Sequence, residues 1–243
     1  RQFFEAFEGM PYAVPNVLVD YVLQKAPVPV GYWRGVNDTQ NAFFKESFID
    51  EMAHAAGHDP YRYRRRLLAG QPRHLAVLDA AAEKARWDAP APAGIFRGLA
   101  LHAYGDTVCA QVVEISLGEE VRVHRVVSAI DLGHVVDPRS VEMQTEGAIA
   151  FALSAALFGE ITLADGRVEQ SNFHDCRVLR MSEMPEVETV IVPSGGVWGG
   201  VGEPPVLPLA PALCNAVFAA TDRRIRSLPI TKYDLRNIGG HKL

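Results

Sequence analysis

One glycine-rich segment concentrates the residues that could do chemistry. Ser194 to Pro205 reads Ser-Gly-Gly-Val-Trp-Gly-Gly-Val-Gly-Glu-Pro-Pro, five glycines around a tryptophan, then one carboxylate and two prolines. Without a Cβ, such a main chain can approach a large ligand closely and take positive φ. Pro204 disfavours helical geometry in the residue before it, which predicts an extended Glu203 with its carboxylate aimed in a fixed direction. A carboxylate held away from water is a good general base, because desolvation moves its pKa toward working pH. The alternative is an ordinary turn with a solvated Glu203, the usual situation of a carboxylate. Composition alone leaves both readings open.

A second cluster is Tyr32-Trp33-Arg34-Gly35 with Asn37, Thr39, Gln40 and Asn41. It sets a planar cation and several amide donors just ahead of a helix N-terminus, where anions are favoured. The competing role is simple satisfaction of the orphan amides of that helix start. Gln170-Ser171-Asn172, at the end of an expected strand, carries the same ambiguity. His54 and His58 have the helical spacing of a zinc pair, but Gly57 ends the helix between them. His174, Asp175 and Cys176 are contiguous, so in a strand their side chains diverge, and a Cys/His hydrolase would need partners from elsewhere. Neither a Gly-Lys-Ser/Thr phosphate loop nor a Gly-x-Ser-x-Gly elbow occurs. Cys109, Cys176 and Cys214 are too scattered for a disulfide framework or a four-thiolate metal site.

These residues need a scaffold, and the chain is long enough to supply one. Its 243 residues carry 24 Lys+Arg against 29 Asp+Glu, a net −5, so no global positive field is available to hold nucleic acid. Prolines 11, 15, 27 and 29 around short β-branched runs predict extended chain at a sheet edge over 11–30. Apolar positions Phe43, Phe44, Phe48, Ile49, Met52 and Ala56 predict a helix over 40–56, and Asp59-Pro60 starts a short one with Arg62, Arg64, Arg65 and Arg66 on a solvated or partner-facing side. A third helix is expected over 74–87. The Pro/Ala stretch 89–95 is then read as a stiff linker, dividing a part at 1–88 from a second at 96–243. Alternation at period two predicts strands at 96–104, 107–117 and 121–130, joined by tight turns and antiparallel. Asp137-Pro138 leads into a helix over 140–158, whose Gly147 is expected to admit a neighbouring backbone and whose apolar run of twelve is too short to cross a membrane. Asp165-Gly166 signals a hairpin, 187–192 a strand and 212–220 an apolar helix. Strands mixed with helices, without βαβ alternation, define an α+β class.

In order along the chain, Tyr-Trp-Arg-Gly-Val (32–36), Asn-Ala-Phe-Phe-Lys-Glu-Ser-Phe-Ile-Asp-Glu (41–51), Gln-Thr-Glu-Gly-Ala-Ile (144–149) and Gly-Val-Gly-Glu-Pro-Pro (200–205) form a set. This set resembles the molybdenum hydroxylases of the xanthine oxidase and aldehyde oxidase family. Segments 72–84, 159–163 and 168–174 look like the large subunit of isoquinoline 1-oxidoreductase and of cytochrome-linked aldehyde dehydrogenases. The resemblance implies the C-terminal portion of a molybdopterin-binding domain, acting on an N-heteroaromatic carbon or an aldehyde with water as oxygen source. By the same resemblance Glu203 is the catalytic base that activates the attacking oxygen. Trp33, Arg34 and Gly35 lie beside the cofactor, and Gly200, Val201 and Gly202 let their loop approach the molybdenum. Gln170, Ser171 and Asn172 are further cofactor contacts, and no side chain of this chain ligates the metal directly.

The family's large subunit is about three times this length, and the loops that cradle most of the pterin precede the region matched. A molybdenum–pterin cofactor, in its cytosine dinucleotide form, is therefore expected to be shared with an N-terminal half. The two [2Fe-2S] clusters belong to a separate small subunit, consistent with the cysteine spacing here, and cytochrome c is the implied electron acceptor. A periplasmic or membrane-associated location follows from the same kinship. A non-catalytic assembly role with the same fold is the alternative.

Overall fold

Apolar alternation between Phe96 and Asp131 folds into a meander of three antiparallel strands, β1 (Phe96–Tyr104), β2 (Thr107–Leu117) and β3 (Val121–Asp131). The turns that join them fall where glycine and charged residues interrupt the pattern, so Tyr104 lies opposite Thr107 and Leu117 opposite Val121. The computed structural model describes residues 4–7 and 9–235. Three helices precede the meander: α1 (Val36–Ala55), α2 (Pro60–Leu67) and α3 (Pro72–Lys84). After it come α4 (Pro138–Leu157), the small hairpin β4 (Leu163–Ala164) and β5 (Arg167–Val168), β6 (Glu186–Ile191) and α5 (Leu209–Thr221). The α+β expectation holds. β6 adds in parallel to β3, with Arg125 opposite Glu186, completing a sheet ordered β1-β2-β3-β6.

Each face of the sheet carries its own apolar layer, as the period-two pattern requires. Leu99, Leu101, Val108, Ala110, Val112 and Val127 face one way and pack with Val77, Leu78 and Ala81 of α3. Val113, Ile115 and Val126 face the other, against Ile149 and Leu153 of α4 and Leu209, Leu213 and Val217 of α5. At Gly98 a Cβ would fall 2.1 Å from the Ala212 carbonyl oxygen and from the Ala216 nitrogen, so the absence of a side chain there sets how closely α5 lies on β1. The run Pro204–Thr221 is apolar and long enough to cross a membrane by length and composition, yet it is largely buried in this core.

Local signals placed several helix starts. Asp59 accepts from the Arg62 N–H and Asp137 from the Arg139 N–H, each capping a helix that opens on proline. The hairpin at Asp165-Gly166 forms as expected. Three expectations fail. Residues 11–30 form no strand: the outward edge of β1 is already occupied, since the Leu101 N–H donates to the Glu46 carboxylate and the Leu99 carbonyl accepts from Asn215. Gly147 faces open space rather than a neighbouring backbone. Arg64 is fully buried, paired with Glu46 at 3.0 Å and Asp50 at 3.5 Å, because it lies on the side of α2 turned to α1, unlike its exposed neighbour Arg65.

Candidate active site

Two loops 168 residues apart in sequence clasp each other at one end of the sheet. Arg34 Nε donates to the Gly202 carbonyl at 2.6 Å, and the Gly35 N–H donates to Glu203 Oε1 at 3.0 Å. Arg34 Nη2 also reaches Gln144 Oε1 of α4 at 3.3 Å, and its guanidinium lies 5.7 Å from the Phe151 ring centroid. Partial burial pulls the Arg34 pKa down, against the opposing charge of Glu203. Trp33 packs on Phe151 with ring centroids 4.6 Å apart and the ring planes tilted by 32°. The clasp depends on Gly35, whose φ of 88° is left-handed and whose amide therefore points at the carboxylate rather than along α1. A Cβ at Gly35 would come within 2.4 Å of Thr39 Oγ1 and 2.6 Å of Leu207 Cδ2.

The glycine loop is seated on the turn between β1 and β2 and on the end of β3. Thr107 Oγ1 donates to the Gly200 carbonyl at 2.7 Å, and the Gly199 N–H donates to the Leu132 carbonyl at 2.8 Å. Gly199 is pressed so tightly to this turn that a Cβ would stand 2.1 Å from Thr107 Oγ1. Upstream, the buried Asp131 carboxylate accepts from the Gly133 N–H and from Ser194 Oγ, both at 2.8 Å, and pairs with Arg73. Burial alone would raise the Asp131 pKa, but Arg73 and these hydrogen bonds outweigh it and hold it below the usual carboxylate range. Downstream, buried Gln111 donates to the Pro205 carbonyl at 2.7 Å.

Glu203 is half-buried, and it is not extended. Its φ of −109° and ψ of −40° lie in the helical region, because its carbonyl accepts from the Val206 N–H at 2.9 Å and closes a 3₁₀ turn over Pro204–Val206. That turn, anchored by Gln111, overrides the steric preference that Pro204 imposes on the residue before it. The direction of the carboxylate is thus set by the Gly35 amide, not by proline.

The residues singled out in the sequence divide into two groups. Trp33, Arg34, Gly35, Gly200, Val201, Gly202 and Glu203 are brought together. Gln170, Ser171 and Asn172 spend their hydrogen bonds locally: Gln170 bonds the Thr162 N–H and hydroxyl, and Ser171 and Asn172 donate backbone N–H groups to Asp175. His174 is exposed beside Asp175, and His54 packs edge-on to Phe218. No group of three or more His, Cys, Asp or Glu that could hold a metal occurs among the described residues.

Tyr104, Thr107, Gln111 and Asp131 escaped the sequence reading. They lie in apolar strands with no motif around them; the one available signal was a polar side chain interrupting an apolar strand. Burial, then the charge of Glu203, raise the Tyr104 phenol pKa.

The loop has room and donors for an anionic group. At Gly200 and Gly202 a Cβ would meet nothing within 4 Å, and the N–H groups of Gly200, Val201 and Gly202 have no hydrogen-bond partner among the described residues. Open amides beside a guanidinium and a carboxylate suit a polar, negatively charged cofactor that needs both anchoring and proton transfer.

A family model for the molybdopterin cofactor-binding domain matches residues 50–185. The chain belongs to this family of molybdopterin-binding domains. It is 34% identical over 245 residues to the beta subunit of isoquinoline 1-oxidoreductase from Brevundimonas diminuta, covering 94% of this chain and 31% of that protein. It is 31% identical to a nicotinate dehydrogenase subunit from Pseudomonas putida, covering 93% of this chain and 21% of that one. The chain thus spans a third or less of the length of these relatives. Quinoline 2-oxidoreductase from Pseudomonas putida 86 superposes with a TM-score of 0.69 at 14% identity, over 86% of this chain and 53% of that one, and shares the fold.

Proposed function

We propose that this chain is the C-terminal part of the molybdenum-cofactor subunit of an oxidoreductase that hydroxylates an N-heteroaromatic carbon or oxidises an aldehyde, with Glu203 as general base. The observation that carries this reading is the tether of Glu203 Oε1 to the Gly35 N–H at 3.0 Å, next to three loop amides that have no hydrogen-bond partner among the described residues. When bound, a molybdenum–pterin group would supply the two-electron oxidation, with water as the source of oxygen. Glu203 receives the proton that the attacking oxygen must lose. With Oε1 held by the amide, the carboxylate cannot swing away between turnovers, so its orientation is settled before substrate arrives. The N–H groups of Gly200, Val201 and Gly202 would donate to the cofactor. Arg34, held by Gly202 and Gln144, adds positive charge without being free to follow the ligand. Gln170, Ser171 and Asn172 would bind cofactor only by releasing their present local partners.

The kinship with the two relatives leads us to place the rest of the cofactor site on an N-terminal portion and the cofactor in its cytosine dinucleotide form. On the same ground we assign [2Fe-2S] clusters to a partner subunit, cytochrome c as acceptor, and a periplasmic or membrane-associated location. A non-catalytic assembly role would leave an oriented carboxylate without a task. Glu203→Gln in the assembled enzyme distinguishes the two. Removing one general base should lower kcat by about 10²–10⁴-fold with molybdenum and pterin content unchanged. Turnover at the parental rate would reject the assignment.

A further inference from the structure

Beneath the glycine loop the apolar sheet is interrupted by a fully buried amide that packing alone does not require. Gln111 lies within β2, opposite Ser128 of β3. Its Nε2 donates to the Pro205 carbonyl at 2.7 Å and to Ser128 Oγ at 3.2 Å. The Pro205 oxygen can only accept, so nitrogen must be the atom that faces it, and this fixes which way the amide points. Oε1 is left buried with no hydrogen-bond partner among the described residues. An unpaired buried oxygen works against folding, and an unbranched apolar side chain would fill similar space without one. What the amide supplies, and an apolar side chain could not, is a donor to the loop.

Resting on the assignment of Glu203 as base, we propose that Gln111 is a positioning residue that holds the Glu203 backbone in its helical geometry against Pro204. Two preferences compete at Glu203. The ring of Pro204 drives the residue before it toward extended backbone. The 3₁₀ turn, closed by the Val206 N–H on the Glu203 carbonyl, keeps φ at −109° and ψ at −40° instead. That turn spans only Pro204–Val206, and 3₁₀ hydrogen bonds have poor geometry, so it needs a hold from outside. Gln111 supplies the hold at Pro205, inside the turn. Thr107, four residues earlier and on the same side of β2, holds the Gly200 carbonyl at 2.7 Å. The loop is thereby pinned to one strand on both sides of the carboxylate, and the Gly35 N–H then sets the direction of the side chain. If Gln111 lets go, the backbone relaxes toward the extended form and carries Glu203 Oε1 off the Gly35 amide.

The test uses the complete enzyme complex with cofactor and compares Gln111→Met, Pro204→Ala, the double variant and Glu203→Gln. Gln111→Met keeps an unbranched side chain and removes the donor. It should lower kcat and kcat/KM together by about 10²-fold, the cost of displacing a reacting group by about 1 Å. Its molybdenum and pterin content should equal the parent's. Independently of turnover, hydrogen–deuterium exchange at the Val206 and Gly35 amides should be about three- to tenfold faster in that variant, as loss of one hydrogen bond predicts. Pro204→Ala removes the steric push on Glu203, so in that background the Gln111→Met loss should shrink to about threefold or less. A residue that merely filled the core would lose as much rate in the Pro204→Ala background as in the parent, and that result overturns the proposal. Parental kcat in Gln111→Met overturns it too, as does parental exchange at both amides. In the parent itself the Val206 amide should exchange at least about tenfold more slowly than an unstructured one; exchange at the unstructured rate refutes the hold even if no Gln111 variant assembles. If Glu203→Gln is inactive while Gln111→Met turns over normally, the hold fails and the base stands. If Glu203→Gln is itself fully active, the base assignment fails and Gln111 has nothing to position.

Discussion

Replacing Gly35 by alanine tests the clasp on which the site depends. The backbone at this position is left-handed, with φ of 88°, and a residue bearing a Cβ adopts that conformation at a cost of about 1–2 kcal/mol. The new methyl would also stand 2.4 Å from Thr39 Oγ1 and 2.6 Å from Leu207 Cδ2. Thr39 is hydrogen-bonded to the Arg34 carbonyl and Leu207 is buried in the core, so neither can simply turn aside. Overpacking of this kind adds about 1–3 kcal/mol, for a total of about 2–5 kcal/mol. If the chain relieves the clash by shifting, the Gly35 amide leaves Glu203, and a misplacement of about 1 Å at a reacting group costs about 10²-fold in rate. The assay is urea denaturation of the assembled enzyme together with kcat/KM. Gly200→Ala is the control, because a Cβ there meets nothing within 4 Å and its φ lies outside the left-handed range. That control should stay within about 0.5 kcal/mol of the parent in stability. A Gly35→Ala enzyme as stable and as active as the parent would show that the amide does not hold the carboxylate.

Two further outcomes follow from the buried charges. Arg64→Met removes one member of a fully buried pair and leaves Glu46 uncompensated, which should destabilise by about 3–5 kcal/mol in a denaturation experiment; an unchanged midpoint would mean that Glu46 is satisfied by Tyr12 and the Leu101 amide alone. Asp131→Asn should change the pH dependence of stability. The folded pKa of Asp131 is depressed, so its contribution is fully present above the unfolded value of about 3.9 and is lost as pH falls through the folded value. The stability gap between parent and variant should therefore be widest near neutrality and narrow in acid. A gap independent of pH would show that the loop anchored at Ser194 draws nothing from the charge.

Much of the secondary structure was legible because its causes are local. The strands at 96–104 and 107–117 were readable to the residue, since a two-residue turn of glycine and aspartate cuts a clean alternation. Helices α2 and α4 announced themselves by an aspartate followed by proline. α1 begins at Val36, ahead of the apolar pattern, because its start is set by the left-handed Gly35 rather than by periodicity. The 11–30 segment misled for a different reason: its composition suits an edge strand, but whether an edge is open depends on side chains elsewhere in the chain, here Glu46 and Asn215.

The candidate site shows the same division. Residue types alone determined that a carboxylate sits after a run of glycines, that an arginine and glycine precede a helix, and, through ordered motifs, which family these segments belong to. Only the tertiary structure decided that Gly35 donates to Glu203, that Arg34 is spent on Gly202, and that Arg64 is interior. The reason is physical: propensities and turn preferences act over a few residues, whereas a hydrogen bond between positions 35 and 203 exists only after packing brings distant segments together. The conformation of Glu203 is the sharpest instance, because a local rule assigned it one geometry and long-range anchoring imposed another.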